Sequence, residues 1–400
     1  MVKERSLYTC ILAHYDQYGY IFTAIDSILA QDYPAIEIIV VDDGSEIFGR
    51  DETLAYIEKN KKQNIKSYQV LVNEENIGTV RSLNRALRAA TGEYVQLFAA
   101  DDRLHDEKTA SNFVNEFEKL GEDAVMLCAH ALVMDDDLNP TGKHFLSPAL
   151  HERYSGMNAQ EQFKTLAFAC DWGMGAVCAR TSLYQQMGYF DERYRYIEDW
   201  PFFLRMTRNG IKAHIVSFIA LDHRGGGISK TDWFSDTSDI IKEFIDDLLR
   251  VMEVEILPFL REFSTWYQEQ LIHKYYEVYR SLLKIGGDRK CLLSYDFWRF
   301  DKKQSIKRSL AKWRIRNRMF VKQSLKVIYL AALFFLAALF SQSILPAGGP
   351  PGIPGAQVVP AMIDFGVKLS GGVLVCALVF LVLCIGFWAA YKAYRRLRTR

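Results

Sequence analysis

The chain has 400 residues, of which 50% are hydrophobic and 24% are charged, and its formal net charge is +1 at pH 7. This composition excludes an intrinsically disordered protein, and the length is sufficient for about two or three domains. Basic residues are concentrated in 302–326 and 391–400, which alone does not indicate nucleic-acid binding. The seven cysteines are scattered without a Cys-x-x-Cys pair. They therefore predict neither a zinc site nor a disulfide framework, and favour a reducing cytosolic setting.

Apolar runs alternate with amphipathic stretches through residues 7–99. The runs predict strands over residues 7–13, 36–41, 68–72 and 94–99, and the stretches between them predict helices over 20–30, 54–62 and 80–90. This alternation is typical of βαβ units and predicts an α/β domain with a mostly parallel sheet. Since the crossovers are right-handed, the carboxyl ends of these strands meet at one edge, where open α/β sheets bind their ligands.

Two pairs of acidic residues follow predicted strands. Asp42 and Asp43 come directly after the second strand, and Asp101 and Asp102 come after the fourth. Carboxylates at this edge face a ligand, and such clusters suit a sugar nucleotide with its divalent metal. The alternative is that the first pair forms a turn or helix N-cap with Ser45, and that the second pair caps a helix that follows it.

Two long apolar segments lie near the C-terminus, at residues 325–345 and 367–391. Each is close to the length needed to cross a bilayer, and Lys and Arg crowd outside them, so the sequence predicts a transmembrane hairpin with both flanks in the cytoplasm. The Pro- and Gly-rich stretch 346–366 is then an extracytoplasmic loop, and 392–400 is a basic cytoplasmic tail. Residues 302–324 predict a basic amphipathic juxtamembrane helix that contacts lipid headgroups. The alternatives are a pair of buried core helices and a solvated linker helix, respectively.

Four sequence segments stand in a recognisable order. They are HYDQYGYIFTAIDSILAQDYPAIEIIVVDDGS (14–45), ENIGTVRSLNRALRAATGEYVQLFAADD (75–102), GYFDERYRYIEDWPFFLRMTRNG (188–210) and HRGGGIS (223–229). Together they resemble the catalytic domain of glycosyltransferase family 2, which has the Rossmann-like GT-A fold. The resemblance implies a catalytic domain over residues 1–230. The pattern then turns helical over 231–301, a helical extension in which no chemistry is predicted.

The resemblance assigns the donor side of a site. It implies that Tyr15 stacks on the nucleotide base and that Asp42 and Asp43 contact the base and ribose. Arg81 is proposed to lie near the diphosphate, where a guanidinium neutralises negative charge. The loop 223–229 is expected to close over the diphosphate, although its histidine is more typical of a structural role.

The resemblance also implies a divalent cation, Mn²⁺ or Mg²⁺, held by Asp101 and Asp102, with Asp101 contacting the nucleotide sugar as well. The sequence departs from the family's Asp-x-Asp motif, because Ala99 stands where the first Asp is usual. One or two carboxylates are enough for such a cation when a diphosphate and water supply the other ligands. The departure puts the usual contact between the first Asp and the sugar or ribose in doubt.

The catalytic candidates are Glu198 and Asp199. Asp199 matches the family's general base, which removes a proton from the acceptor hydroxyl, and Glu198 orients it or binds the acceptor. Alternatively, both are acidic residues at a helix N-terminus, favoured by the helix dipole, with Pro201 in the first turn. Both interpretations are compatible.

These inferences predict a membrane-anchored, metal-dependent, inverting hexosyltransferase. It would transfer a sugar from a nucleotide-sugar donor, a UDP-sugar, to a hydroxyl of a saccharide or lipid-linked acceptor in surface polysaccharide synthesis. Its partners would include membrane lipids but no nucleic acid. It would be a multi-pass protein of the cytoplasmic (inner) membrane with its catalytic domain and C-terminus in the cytoplasm. The alternatives are a polyprenyl-phosphate glycosyltransferase and a catalytically impaired sugar-nucleotide-binding scaffold, which Ala99 and Leu83 motivate.

Overall fold

The computed structural model of the chain describes residues 5–225 and 238–286. The predicted juxtamembrane helix, hairpin and basic tail, residues 302–400, lie outside these residues, as does most of the predicted 223–229 loop. Within the two described ranges, no helix combines the length and apolar character needed to cross a membrane.

Strands and helices alternate as the sequence predicts over residues 7–99, although α2 begins at Arg50 rather than at Leu54. In chain order the elements are β1 (Tyr8–His14), α1 (Tyr18–Leu29), β2 (Ile36–Asp42), α2 (Arg50–Asn60), β3 (Ile65–Val72), α3 (Thr79–Ala89), β4 (Tyr94–Ala99), β5 (Arg103–Leu104), α4 (Thr109–Leu120), β6 (Met126–Met134), β7 (Pro140–Phe145), α5 (Pro148–Ser155), α6 (Ala159–Leu166), β8 (Val177–Arg180), α7 (Thr181–Met187), α8 (Asp199–Arg208), β9 (His214–Arg224), α9 (Asp239–Val251) and α10 (Thr265–Gly286).

The strands form one sheet in the order β3-β2-β1-β4-β8-β6-β9-β5, and β7 pairs with β6. The half containing β3, β2, β1 and β4 is parallel, as predicted, and β6 is parallel to β9. The sheet as a whole is mixed, because β8 lies between β4 and β6 and is antiparallel to both. In addition, β5 is antiparallel to β9, and β7 is antiparallel to β6. The sequence did not predict β8, because the apolar stretch that forms it is too short to indicate a strand.

The sheet is covered on both faces, as expected for strands that read as continuous apolar runs. Alternate residues of β1 point to opposite sides: Ile11 joins one buried cluster and Leu12 the other. The first cluster contains residues of α3 and α8 together with Ile241 and Phe244 of α9 and Leu271 of α10. The described part of the helical extension therefore shares a hydrophobic core with α8, the helix that begins at the predicted catalytic pair.

Candidate active site

The acidic pairs lie at the same edge of the sheet. His14 is opposite Asp42 in the β1–β2 register, and Ala13 is opposite Ala99 in the β1–β4 register. The Asp43 amide donates to the His14 carbonyl at 2.9 Å, and the Ala100 amide donates to the Ala13 carbonyl at 2.8 Å. The parallel strands therefore bring residues 42–43 and 101–102 to their common carboxyl edge, as the sequence predicted.

Asp42 is buried and is held in a turn. Its Oδ1 lies 2.7 Å from His14 Nδ1 and accepts from the Ser45 hydroxyl. Its Oδ2 accepts from the Ser45 amide at 3.1 Å. The turn that the sequence offered as an alternative is therefore present, but it is not a helix cap, since α2 begins at Arg50 with Gly49 as its N-cap.

Asp43 anchors the loop between β3 and α3. Its carboxylate accepts from the Ile77 amide at 2.9 Å and from the Gly78 amide at 3.0 Å. The Ser82 hydroxyl donates to it at 2.7 Å and the Asn73 side-chain amide at 3.0 Å. A carboxylate can accept several hydrogen bonds at once, so Asp43 fixes the shape of this loop whether or not it contacts a ligand.

Tyr15 and Arg81 are the exposed candidates on the donor side. Tyr15 directly follows β1 and is 44% exposed, so its ring is available to a planar ligand. Arg81 is exposed in the first turn of α3. The nearby Arg85 is used by the fold, because it donates to the Val72 carbonyl at 2.8 Å and to Asn73 Oδ1 at 2.6 Å.

Asp101 and Asp102 have different environments. Asp101 accepts a hydrogen bond from Gln17 at 3.0 Å, and its pKa is raised by burial and by the charge of Asp102. Asp102 accepts from the Arg224 amide at 2.9 Å, and one of its oxygens lies 3.0 Å from His223 Nδ1. The alternative that this pair caps the following helix is wrong, because residues 103–104 form β5 and α4 begins only at Thr109.

The donor set fits a hard divalent cation of the kind that shares its coordination with a ligand. Among the residues that the structure describes, no three His, Cys, Asp or Glu side chains are grouped closely enough to hold a metal ion alone. Burial and the charge of Asp102 raise the pKa of Asp101, and the opposing effect of His223 does not offset them, so negative charge at this position is unfavourable. A cation bound to Asp101 and Asp102 would cancel that charge and take its remaining ligands from a diphosphate and water.

Glu198 and Asp199 lie at the N-terminus of α8, with Glu198 as the N-cap residue, so the structural interpretation of this pair is confirmed. Asp199 Oδ1 accepts from the Trp200 amide at 2.5 Å, and its Oδ2 accepts from the Cys170 thiol at 3.6 Å. Burial and the neighbouring charge of Asp199 raise the pKa of Glu198 to about 8, and burial also raises the pKa of Asp199. The two carboxylates are adjacent and partly buried, so the charge of one disfavours ionisation of the other.

A residue that sequence reasoning missed holds the segment leading into this pair. Asp247 of α9 is buried, and its Oδ2 accepts from the Arg195 amide at 2.8 Å and the Tyr196 amide at 2.7 Å. The Arg195 side chain in turn donates to Asn76. No local pattern identifies Asp247, because an acidic residue on an amphipathic helix usually faces solvent.

Residues 9–187 match the sequence model of the family described as Glycosyl transferase family 2. An uncharacterized glycosyltransferase of Rickettsia typhi is 28% identical over 218 residues, which cover 54% of this chain and 61% of that protein. The amylovoran biosynthesis glycosyltransferase AmsB of Erwinia amylovora is 21% identical over 57% of this chain and 76% of its own length. Among solved structures, that of S. aureus TarS residues 1–349 in complex with UDP is similar to this chain with a TM-score of 0.45 and 16% sequence identity. The match covers 68% of this chain and 80% of the TarS chain.

The match covers less than half of the chain, and it shows that residues 9–187 are similar to a glycosyltransferase family 2 domain. The resemblance recognised from the sequence is therefore confirmed over that segment. The alignment with the Rickettsia typhi protein spans about three fifths of that protein's length.

Proposed function

We propose that this chain is an inverting glycosyltransferase that transfers a sugar from a nucleotide-sugar donor, a UDP-sugar, to an acceptor hydroxyl. The observation that carries the proposal is the Glu198–Asp199 pair at the start of α8, where burial raises the pKa of both carboxylates. A carboxylate whose pKa is raised toward the operating pH is suited to act as a general base. The similarity of residues 9–187 to family 2 supports this reaction class, and Glu198 and Asp199 follow the matched segment.

The donor half of the proposed site is the carboxyl edge of β1, β2 and β4. Tyr15 would cover the base with its exposed ring. Asp42 is fully buried and bonded to His14 and Ser45, so it would hold the turn at this edge rather than contact the base or ribose directly. Asp43 would contribute by holding the loop at residues 76–78. Arg81 would lie toward the diphosphate.

Asp101 and Asp102 would hold the divalent cation, Mg²⁺ or Mn²⁺. When bound, such a cation supplies positive charge that stabilises the leaving diphosphate. The chain prepares this position by keeping Asp101 partly buried, with a single amide donor from Gln17. His223 and the Arg224 amide fix the orientation of Asp102.

In the proposed reaction, Asp199 removes the proton from the acceptor hydroxyl as its oxygen attacks the anomeric carbon. The new glycosidic bond forms on the face opposite the breaking bond to the diphosphate oxygen, so the anomeric configuration inverts. The proton ends on Asp199 and the electron pair on the nucleoside diphosphate. The Trp200 amide and the Cys170 thiol hold the two oxygens of Asp199 in place before the reaction.

The acceptor and the cellular setting belong to the same proposal. We expect a membrane-anchored enzyme at the cytoplasmic membrane that acts on a saccharide or lipid-linked acceptor in surface polysaccharide synthesis. Its support is the apolar character of segments 325–345 and 367–391, together with relatives named for amylovoran biosynthesis and poly(ribitol-phosphate) N-acetylglucosaminyl transfer. A reporter fused after Arg400 should be active in the cytoplasm. Reporter activity on the opposite, extracytoplasmic side of the membrane would contradict this topology.

A donor screen tests the proposal. The full chain is purified in detergent and mixed with single nucleotide sugars and Mn²⁺, and the thermal midpoint and the release of free nucleotide are measured. We expect at least one UDP-sugar to raise the midpoint, because a ligand that binds only the folded state stabilises it. The Tyr15→Ala variant should weaken this effect, whereas Tyr15→Phe, which keeps the ring, should retain it. A wild-type protein that no donor stabilises would refute the proposed function.

A further inference from the structure

Lys274 of α10 contacts Trp200, the residue that follows the proposed catalytic pair, although the sequence predicted no chemistry in this region. Its Nζ is 4.7 Å from the centroid of the Trp200 ring, and Trp200 directly follows Asp199. The same Nζ donates a hydrogen bond to the Phe168 carbonyl. Phe168 is two residues before Cys170, whose thiol donates to Asp199. The helical extension therefore places a cationic group against the residue that follows the proposed base.

Within the part of the chain that the structure describes, the charge of Lys274 has no direct partner of opposite sign. Among residues 5–225 and 238–286, no carboxylate lies within salt-bridge distance of its Nζ. The charge of Asp171 acts on it from a greater distance, and that carboxylate accepts from the Tyr154 hydroxyl at 2.8 Å. An ammonium has three donors, of which the Phe168 carbonyl takes one. Burial disfavours an ammonium that has one hydrogen-bond acceptor and no carboxylate nearby, so an anion that pairs with Lys274 would offset this cost.

Phe168 and two residues in the first turn of α10 form a cluster of aromatic rings at the surface. The Phe168 and Tyr267 rings are 5.1 Å apart, and the Tyr267 and Trp266 rings are 4.9 Å apart. Trp266 is 61% exposed and Tyr267 is 45% exposed. We call Phe168, Trp266 and Tyr267 the aromatic surface. Exposed aromatic faces of this kind offer apolar contact to the C–H face of a sugar ring while their edges stay in water.

We propose that Lys274 and the aromatic surface form the acceptor subsite, and that the acceptor is a saccharide carrying an anionic group, a phosphate or a carboxylate, near the reacting hydroxyl. The anion pairs with Lys274 beside Asp199, and a sugar ring packs on the aromatic surface. This inference rests on the proposed function, because it names the acceptor class of that site. It gives α10 a role in recognition in addition to its role in the core.

Binding measurements test the subsite without requiring catalysis. The full chain in detergent is first saturated with UDP and Mg²⁺ to fill the donor side, and is then titrated with glucose 1-phosphate and glucuronic acid, each beside neutral glucose. The subsite requires the anionic sugars to bind at least tenfold more tightly than glucose. Equal affinities in the wild-type protein overturn the proposal without reference to any variant.

The variants Lys274→Met and Lys274→Arg locate the charge selectivity. Lys274→Met should remove the preference for anionic sugars and leave the affinity for glucose unchanged, while Lys274→Arg should keep the preference. Lys242→Met, on the exposed face of α9, is the matched control and should behave as wild type. Selectivity that survives in Lys274→Met overturns the assignment. If that variant does not fold, which thermal unfolding reveals, Lys274→Gln decides the same point, because it keeps a donor for the Phe168 carbonyl without the charge.

The double variant Trp266→Ala/Tyr267→Ala tests the occupant of the aromatic surface. It should weaken glucose and glucose 1-phosphate binding alike, and leave binding to phosphatidylglycerol vesicles and the oligomeric state unchanged. The assignment of a sugar to the aromatic surface is overturned if the double variant still binds sugars as the wild type does but no longer binds vesicles or no longer dimerises. In that case a bilayer or a second copy of the chain covers the surface. Anion-selective sugar binding in a protein that transfers no sugar from any donor overturns the proposed function instead.

Discussion

The guanidinium of Arg195 donates two hydrogen bonds to Asn76, at 3.2 Å to its carbonyl and 2.8 Å to its side-chain oxygen. Asn76 precedes the two amides that Asp43 holds, and Arg195 lies three residues before Glu198. The Val80 amide also donates to the Arg195 carbonyl at 3.2 Å. The loop at the proposed donor side and the segment entering the catalytic pair are therefore joined by direct contacts. A substitution in the loop should therefore alter the position of the segment before Glu198, and the reverse should also hold.

Replacing Gly78 with alanine should disturb both sides of this contact. Gly78 has φ +94, and an added Cβ would lie 2.7 Å from Arg195 Cγ and 2.9 Å from the Arg195 carbonyl oxygen. We expect a loss of about 1–3 kcal/mol in the free energy of unfolding from backbone strain, and a lower kcat because the segment before Glu198 must shift. Chemical denaturation and steady-state kinetics measure the two effects.

Gly121→Ala is the matched control for this substitution. Gly121 has φ +84, but the space that an added Cβ would occupy is open, so its replacement adds the conformational strain without a contact. It should lower stability and leave kcat unchanged. Equal effects of both substitutions on kcat would show that the contact with Arg195 does not matter for activity.

The two members of the proposed catalytic pair, Glu198 and Asp199, should respond differently to amide substitution. Asp199→Asn removes the proposed base and should lower kcat by about 10²–10⁴-fold. Glu198→Gln imitates the protonated form that burial favours for Glu198, so it should retain most of the activity. Turnover of the donor found in the screen measures both. If Glu198→Gln is the more damaged variant, the roles of the two residues are reversed.

Glu198 should also make the stability of the fold depend on pH. Its pKa is raised from 4.5 to about 8, so the folded state binds this proton more tightly than the unfolded chain. The stabilisation is complete below pH 4.5 and is lost as the pH rises toward 8, with a slope approaching about 1.4 kcal/mol per pH unit. Relative to Glu198→Gln, the wild-type protein should therefore become less stable across this interval. If the free energies of unfolding of the two proteins changed with pH in the same way, the buried environment of Glu198 would be contradicted.

The sequence was sufficient to predict the sheet edge but not the contacts behind it. The pairs at residues 42–43 and 101–102 follow long apolar runs, and the end of a parallel strand fixes where its next residues lie. Asp247 and Lys274 follow the proposed catalytic pair in the chain by more than forty residues. Tertiary contacts within a shared hydrophobic core place Asp247 on Arg195 and Lys274 on Trp200. Periodicity assigns such residues to a face of a helix without identifying what that face contacts.

Asp101 should control the affinity for the divalent cation. Its carboxylate is partly buried and its pKa is raised by burial and by Asp102, so removing its charge relieves repulsion in the metal-free protein. Asp101→Asn should weaken Mn²⁺ binding at least tenfold while leaving metal-free stability unchanged or higher. Calorimetric titration with Mn²⁺ and thermal unfolding without metal measure the two quantities. The exposed Asp239→Asn variant serves as control, and unchanged Mn²⁺ affinity in Asp101→Asn would remove this residue from the cation site.

Asp247 should act on catalysis through the segment it holds. Both backbone bonds from residues 195 and 196 reach the same oxygen, Oδ2, so an asparagine oxygen can accept both and an alanine neither. Asp247→Ala should cost about 1–3 kcal/mol, because it leaves buried amides unpaired, and should lower kcat, while Asp247→Asn should retain most of both. The neighbouring Asp246→Ala loses only an exposed ion pair with Arg250 and is the control. If Asp247→Ala loses stability but keeps the wild-type kcat in the folded fraction, α9 supports the fold without positioning the catalytic pair.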